Sequence, residues 1–323
     1  MTGVLEQLGR LNKLAVKNAY DIDAIDWSRP VDNERWWGPE HIAPLTYLPA
    51  YELLNDEEKR RLNQLFSLGV CEQFIWLEEN ILVRTLRCVR KRWAMSSGLD
   101  QALGFFIEEE IKHTEMFWRT LEKAAPNWYP ERRFFFFNTS PFQTFLVNRI
   151  INNPTVFLVW IWTAIFFEER TVNYCQHYRK ENRDNPNRLD PTFTDVHEYH
   201  FKDEVRHYQL DQHLLAECYD KESPWKRELA GRMFYYVMKS YTAPRRTSWR
   251  ILNILADEFP RLKETVIPAF LEQLPGLATD QAFHRMAFSR DSVPKTMELF
   301  AEYDELDRLW PLFVLENRDG SIG

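Results

Sequence analysis

The feature that most constrains this chain is a glutamate–histidine motif that occurs twice. The order acid, Glu, apolar, base, His stands at residues 109–113 and again at 203–207. In the second copy, His200 precedes Glu204 by four residues, and His207 follows it by three. On an α-helix these three side chains lie within roughly 60° of one face. Such a face can bind a metal ion.

A pair of adjacent glutamates precedes each motif along the chain. Two Glu-x-x-His helices supply part of the ligand set of a carboxylate-bridged two-metal site in a four-helix bundle. The remaining ligands are one glutamate from each of two further helices, and Glu78-Glu79 and Glu168-Glu169 stand in the required order. The sequence therefore predicts a dinuclear site, but apolar spacing alone does not decide which member of each pair faces it.

The apolar pattern predicts an all-α fold, and the motifs favour a four-helix bundle with additional N- and C-terminal helices. Asn55 followed by Glu58 is typical of a capping box at the start of the first bundle helix. Asn153-Pro154 is typical of the start of the third. We expect one domain over residues 1–323, with an N-terminal extension at 1–50, a core bundle at about 55–219 and C-terminal helices at about 223–316.

Composition excludes several other classes of protein. The net charge of −7 gives no basic surface for nucleic acid. Four cysteines without a CxxC motif favour a reducing compartment and argue against a thiolate zinc site. The longest apolar run, residues 156–167, is shorter than the roughly 20 residues that a membrane span requires. We therefore expect a cytoplasmic protein with no membrane span and no nucleic-acid partner.

The ligand chemistry indicates the metal. Four buried carboxylates repel one another unless cations neutralise them, and oxygen and imidazole ligands without thiolate favour iron, with manganese as the alternative. Asp203 and Glu109 each precede a motif glutamate and lie about 100° round the helix from it. Either could hydrogen-bond the outer nitrogen of a ligating histidine. The alternative for each is a surface acid paired with Arg206 or Lys112.

These motifs resemble the p-aminobenzoate N-oxygenase family, ferritin-like di-iron enzymes that oxidise amines towards nitro groups. The distinguishing mark is the third histidine, His200, in the HxxxExxH motif. The resemblance extends from Pro39 to about Leu215 and includes residues 79–82, 110–114, 169–173 and 201–204. It implies the metal ligands Glu79, Glu110, His113, Glu169, His200, Glu204 and His207.

The resemblance implies two iron ions cycling between Fe2+ and Fe3+, with O2 as co-substrate. The expected reaction is N-oxygenation of the primary amine of a small metabolite, aromatic or aliphatic, towards hydroxylamine, nitroso or nitro products. The alternatives are a di-iron C–H hydroxylase or desaturase acting on an apolar substrate, and an iron-binding ferroxidase. With ten glycines and no GxGxxG or P-loop, the chain should take electrons from a separate reductase or ferredoxin. We expect a homodimer.

Overall fold

A computed structural model of the chain describes residues 2–92, 95–137, 151 and 154–321. This part of the chain is helical and contains no β-strand, with one isolated bridge between Trp36 and Leu189. The α-helices are α1 (Thr2–Asn18), α2 (Asp56–Leu77), α3 (Val83–Arg92), α4 (Ser97–Ala124), α5 (Pro154–Asp184), α6 (Pro191–Leu214), α7 (Pro224–Tyr241), α8 (Arg245–Glu258), α9 (Val266–Gln273), α10 (Gln281–Ala287) and α11 (Pro294–Glu302).

Four long helical segments form the bundle, which confirms the predicted all-α, ferritin-like fold. The first segment is α2 joined to α3 through a π-helical turn, Glu78–Leu82; the others are α4, α5 and α6. A second π-helical turn, Leu215–Tyr219, continues α6. Short π-helical insertions frequently occur at functional sites, and the first one begins at a candidate ligand.

Side-chain caps fix where two bundle helices begin. Asn55 accepts from the backbone N–H of Glu58 at 3.0 Å, and the Glu58 carboxylate accepts from the N–H of Asn55 at 2.9 Å. This confirms the predicted capping box. Asp190 caps α6 by accepting from the N–H groups of Thr192 and Phe193 at 2.8 and 3.2 Å. The predicted cap Asn153 lies outside the described residues.

The extensions pack against the bundle on two sides. Helix α1 contacts α4 and α6, while α7 and α11 contact α5, and α8 contacts α2. Trp37, from the irregular segment after α1, is buried and stacks on Phe193 with ring centroids 4.9 Å apart. The N-terminal segment therefore covers the bundle with the apolar side chains that an extended segment must bury.

A buried glutamate holds the four consecutive phenylalanines at 134–137. Glu72 is fully buried on α2. It accepts from the Tyr129 hydroxyl at 2.8 Å and from the backbone N–H groups of Phe135, Phe136 and Phe137 at 2.8, 2.7 and 2.8 Å. Four donors on one carboxylate give this segment a structural role.

Replacing Glu72 by glutamine should lower the free energy of unfolding by about 2–3 kcal/mol, because an amide nitrogen would then face backbone N–H donors. Urea unfolding followed by circular dichroism measures the change. Glu57→Gln, on the exposed face of the same helix, is the matched control and should leave the free energy of unfolding unchanged. Equal stability of the two variants would contradict this role.

Candidate metal centre

Carboxylates and imidazoles from all four bundle segments converge in the interior. Each side chain of this cluster belongs to a residue at most 5% exposed. The π-helical turn after α2 contributes one member, α4 two, α5 one and α6 three. The cluster consists of Glu78, Glu110, His113, Glu168, His200, Glu204 and His207.

The Glu204 carboxylate lies at the centre of the cluster. Its Oε1 is 2.8 Å from His200 Nε2, 3.4 Å from His113 Nδ1 and 3.5 Å from His207 Nδ1. On the side of His207, Nδ1 lies 2.9 Å from Glu110 Oε1 and 3.6 Å from Glu168 Oε2. The three histidine rings therefore surround one carboxylate.

Two overlapping groups have donor atoms close enough together to hold a cation. In each group the candidate atoms lie within 4.8 Å of one another. The first group contains four residues, the second contains three, and His113 belongs to both. The groups are Glu110, His113, Glu204 and His207, and Glu78, His113 and His200. Because each residue offers one ligand atom, these groups show that the cluster could hold a metal ion.

The structure places Glu78, rather than Glu79, beside the histidines. Glu79, which the resemblance favoured, is exposed, whereas Glu78 is buried with its Oε1 3.5 Å from His200 Nε2. Glu78 stands seven residues after Cys71 and three after Ile75, so it lies on the same buried face of the helix as these two residues. Glu79 lies about 100° further round the helix. The neighbouring glutamate therefore replaces Glu79 in the cluster.

On α5 the structure likewise places Glu168, rather than Glu169, beside the histidines. Glu169 is buried but points away from the cluster, where it accepts from the backbone N–H groups of Lys295 and Thr296 at 3.2 and 2.7 Å. These groups belong to the first turn of α11, whose N–H groups have no partner within the helix. Glu169 therefore binds a helix N-terminus, and Glu168 faces the histidines.

Unpaired atoms inside the cluster test whether it suits a metal. Among the described residues, five inward atoms lack a hydrogen-bond partner of suitable geometry: Glu110 Oε1, His113 Nδ1, Glu168 Oε2, Glu204 Oε1 and His207 Nδ1. Burial raises the pKa of the Glu78, Glu110, Glu168 and Glu204 carboxyls well above the usual range, and lowers the pKa of His200 to about 3. Divalent cations would stabilise the charged carboxylates, so the residues present fit a metal site.

A thiol lies near the cluster, and sequence reasoning missed it. Cys175, His197 and His200 form a third group of close donor atoms. Burial holds the pKa of the Cys175 thiol well above its usual range. Because the thiolate and not the thiol binds metals, the donor set remains oxygen and imidazole.

Asp203 and Glu109 contact the outer nitrogens of two cluster histidines. Asp203 Oδ2 lies 3.1 Å from His113 Nε2, and Glu109 Oε2 lies 2.9 Å from His207 Nε2. Asp203 also receives Lys112 Nζ at 2.9 Å, and Glu109 is ion-paired with Arg206. Each acid therefore has both a histidine contact and an ion pair, and both acids are buried rather than at the surface. A carboxylate on Nε2 fixes the tautomer that leaves Nδ1 free as a ligand.

Replacing Asp203 by asparagine should weaken metal binding about 10- to 100-fold, because His113 loses the carboxylate that orients its ring. Competition with a metal chelator measures the affinity. Asp195→Asn, on the same helix with an ion pair to Arg29 at a partly exposed position, is the matched control and should bind metal as the wild type does. Equal affinities in the two variants would exclude this role for Asp203.

Tyr20 brings the N-terminal segment close to these partners. Burial and the neighbouring Asp203 carboxylate raise the pKa of the Tyr20 phenol well above its usual range. Lys112 Nζ lies 3.5 Å from the centre of the Tyr20 ring. No local pattern in the sequence indicates this contact, because Tyr20 stands far from both motifs along the chain.

An all-α bundle with a buried carboxylate–imidazole cluster defines the ferritin-like class. The chain belongs to the P-aminobenzoate N-oxygenase AurF family, whose model matches residues 3–268. This membership confirms the resemblance that the motifs indicated, and it makes the protein an enzyme of an oxygenase family. No curated protein matches the chain. Among the described residues, no helix combines the length and apolar character needed to cross a membrane.

Proposed function

We propose that this protein is a di-iron monooxygenase that uses O2 to oxidise the primary amine nitrogen of a small metabolite, with aryl and alkyl amines as the candidate substrates. The observation that carries the proposal is the convergence of three histidines and four glutamates, in a chain that belongs to an amine N-oxygenase family. Two-histidine motifs suffice for many carboxylate-bridged sites. The additional imidazole, His200, adds a neutral donor and makes the site more electron-rich.

Seven residues would hold the two iron ions, with manganese as the alternative metal: Glu78, Glu110, His113, Glu168, His200, Glu204 and His207. Bound iron supplies the reduction of O2 and the transfer of an oxygen atom. The Glu204 carboxylate, at the centre of the cluster, would neutralise part of the positive charge of the bound metal. Asp203 and Glu109 would keep two histidines in the ligating tautomer. The closely packed bundle would exclude bulk water.

The first oxidation converts R–NH2, O2, two electrons and two protons into R–NHOH and water. The electrons must come from a separate reductase or ferredoxin, because the chain carries no nucleotide-binding motif of its own. Further cycles would take the hydroxylamine to the nitroso and nitro levels. The substrate of the reaction is a small molecule.

Metal analysis followed by single-turnover chemistry tests the proposal. Purified protein loaded with Fe2+ is reduced without oxygen, then mixed with O2 and p-aminobenzoate or a panel of aryl and alkyl amines. We expect two metal ions per chain and products carrying oxygen on nitrogen, identified by mass spectrometry. Chelated protein is the control and should form none. Products oxygenated at carbon would support the hydroxylase alternative, and O2 consumption without an organic product would support a ferroxidase.

A further inference from the structure

Helix α7 carries a stripe of large apolar side chains that face solvent. In the part of the chain that the structure describes, eleven large apolar side chains are exposed, and five of them lie between positions 225 and 249. Four of these five form the α7 stripe: Trp225, Leu229, Met233 and Tyr236. They fall within an arc of roughly 80° round the helix and over a length of about 17 Å. With Trp225 65% and Tyr236 70% exposed, the stripe is a surface and not part of the core.

The same stretch is strongly basic. Residues 225–250 contain seven Lys and Arg and a single Glu, although the whole chain has a net charge of −7. Three of the seven are ion-paired with glutamates at distances from 2.6 to 3.6 Å: Lys226, Arg227 and Arg232. The other four have no carboxylate partner among the described residues: Lys239, Arg245, Arg246 and Arg250. Arg250 donates to the backbone carbonyls of Phe135 and Phe136, which leaves its charge uncompensated.

The side chains of this surface are those typical of a protein interface. Trp, Tyr, Met and Arg are enriched where proteins bind one another, and an exposed apolar patch bordered by polar groups marks an interaction site. Uncompensated cations favour a partner with an acidic surface. A second copy of this chain does not meet that condition. Two α7 helices would bring like charges together, and the Glu228 carboxylate is already shared by Arg232 and Arg308.

Helix α7 lies against a helix that contributes to the candidate metal centre. It packs along α5, on which Glu168 faces the histidines. Phe167, the chain neighbour of Glu168, packs its ring against Tyr241 at the end of α7, with ring centroids 4.7 Å apart. A protein bound to the α7 stripe would therefore be separated from α5 by the thickness of one helix.

We infer that the α7 stripe and the cations at the turn between α7 and α8 form the docking surface for an acidic, one-electron carrier protein. This inference rests on the proposed function, which requires electrons from a separate protein, and it names the surface and the chemistry that bind that partner. In each docking event the reduced carrier loses one electron to the metal centre, so one oxygenation oxidises two carriers. The cations steer the acidic partner to the surface, and the apolar stripe holds it there.

Binding of an oxidised, acidic [2Fe–2S] ferredoxin to the metal-loaded protein, measured by isothermal titration calorimetry, tests the inference. The affinity should fall as salt is added, because the charges are exposed. The double variant Arg245→Glu/Arg246→Glu and the single variant Tyr236→Ala should each bind at least about 5-fold more weakly than the wild type. All three positions are exposed, so both variants should fold.

Helix α3 supplies the matched control. It is basic, and none of its described side chains is both large, apolar and exposed. Arg87→Glu/Lys91→Glu reverses two exposed cations there, the same change in charge as in the α8 double variant. This control should bind ferredoxin as tightly as the wild type does.

Three results would overturn the inference: no binding by the wild type, wild-type affinity in the α8 double variant, or equal weakening in the α3 control. Two more would assign the stripe to another occupant and overturn it as well. Binding to phosphatidylserine vesicles that Tyr236→Ala abolishes, without ferredoxin binding, would indicate a lipid surface. A dimer in light scattering that Tyr236→Ala disrupts, again without ferredoxin binding, would indicate a second copy.

Turnover with dithionite in place of a carrier protein separates the two proposals. Wild type and docking variants should then form the same amount of N-oxygenated product, because the small reductant needs no docking surface. Absence of product from every protein would contradict the proposed function, whereas the ferredoxin affinities alone decide whether the surface binds an acidic carrier.

Discussion

Replacing Glu78 by alanine should remove most of the metal and the oxygenase activity, whereas Glu79→Ala should retain both. Glu78 is buried, with its carboxylate 3.5 Å from His200, and Glu79 is exposed. Loss of a ligand should cost more than the roughly 10- to 100-fold that loss of a histidine partner costs. The two variants remove the same chemical group from adjacent positions, so each controls for the other.

Metal content per chain, measured by atomic emission after loading and desalting, distinguishes them. Circular dichroism verifies that both variants fold. If Glu79→Ala lost metal and Glu78→Ala did not, the alignment implied by the family motif would be right and the geometry of the π-helical turn would be wrong.

The second pair of substitutions separates metal binding from stability. Glu168→Ala should lose metal and activity with little loss of stability, because its inward oxygen has no hydrogen-bond partner. Glu169→Ala should keep the metal ligands but lower the free energy of unfolding by about 1–3 kcal/mol. It removes a buried acceptor from two N–H groups at the start of α11.

Metal content and urea unfolding of the metal-free proteins measure the two effects separately. Using metal-free protein is essential, because a bound metal stabilises the folded state and would mix the two effects. Glu169→Gln, which keeps one acceptor oxygen, should recover part of the stability lost in Glu169→Ala. Loss of metal in Glu169→Ala with unchanged stability would contradict the assignment.

The sequence alone determined the helical class and the type of chemistry. The repeated motif, with His200 four residues before Glu204, fixed which side chains share one face of α6, because that angle depends only on 3.6 residues per turn. The same rule placed Asp203 and Glu109 beside the motif glutamates, and the contacts to His113 and His207 agree. The capping box at Asn55 was equally local and was found at the predicted position.

The tertiary structure decided which of two equally buried rows of side chains on α5 faces the candidate metal centre. On α5, Ile161, Ile165 and Glu168 lie along one row of the helix surface. Trp162, Phe166 and Glu169 lie along the neighbouring row, and both rows are buried. The second row is covered by the C-terminal region: Trp162 packs against Phe300 and Tyr303, and Phe166 stacks on Phe288. Helical periodicity gives the direction of a side chain about its own axis. It cannot predict which distant segment will pack against that side of the helix. Glu169, for example, accepts from the backbone N–H of Lys295, which lies 126 positions further along the chain.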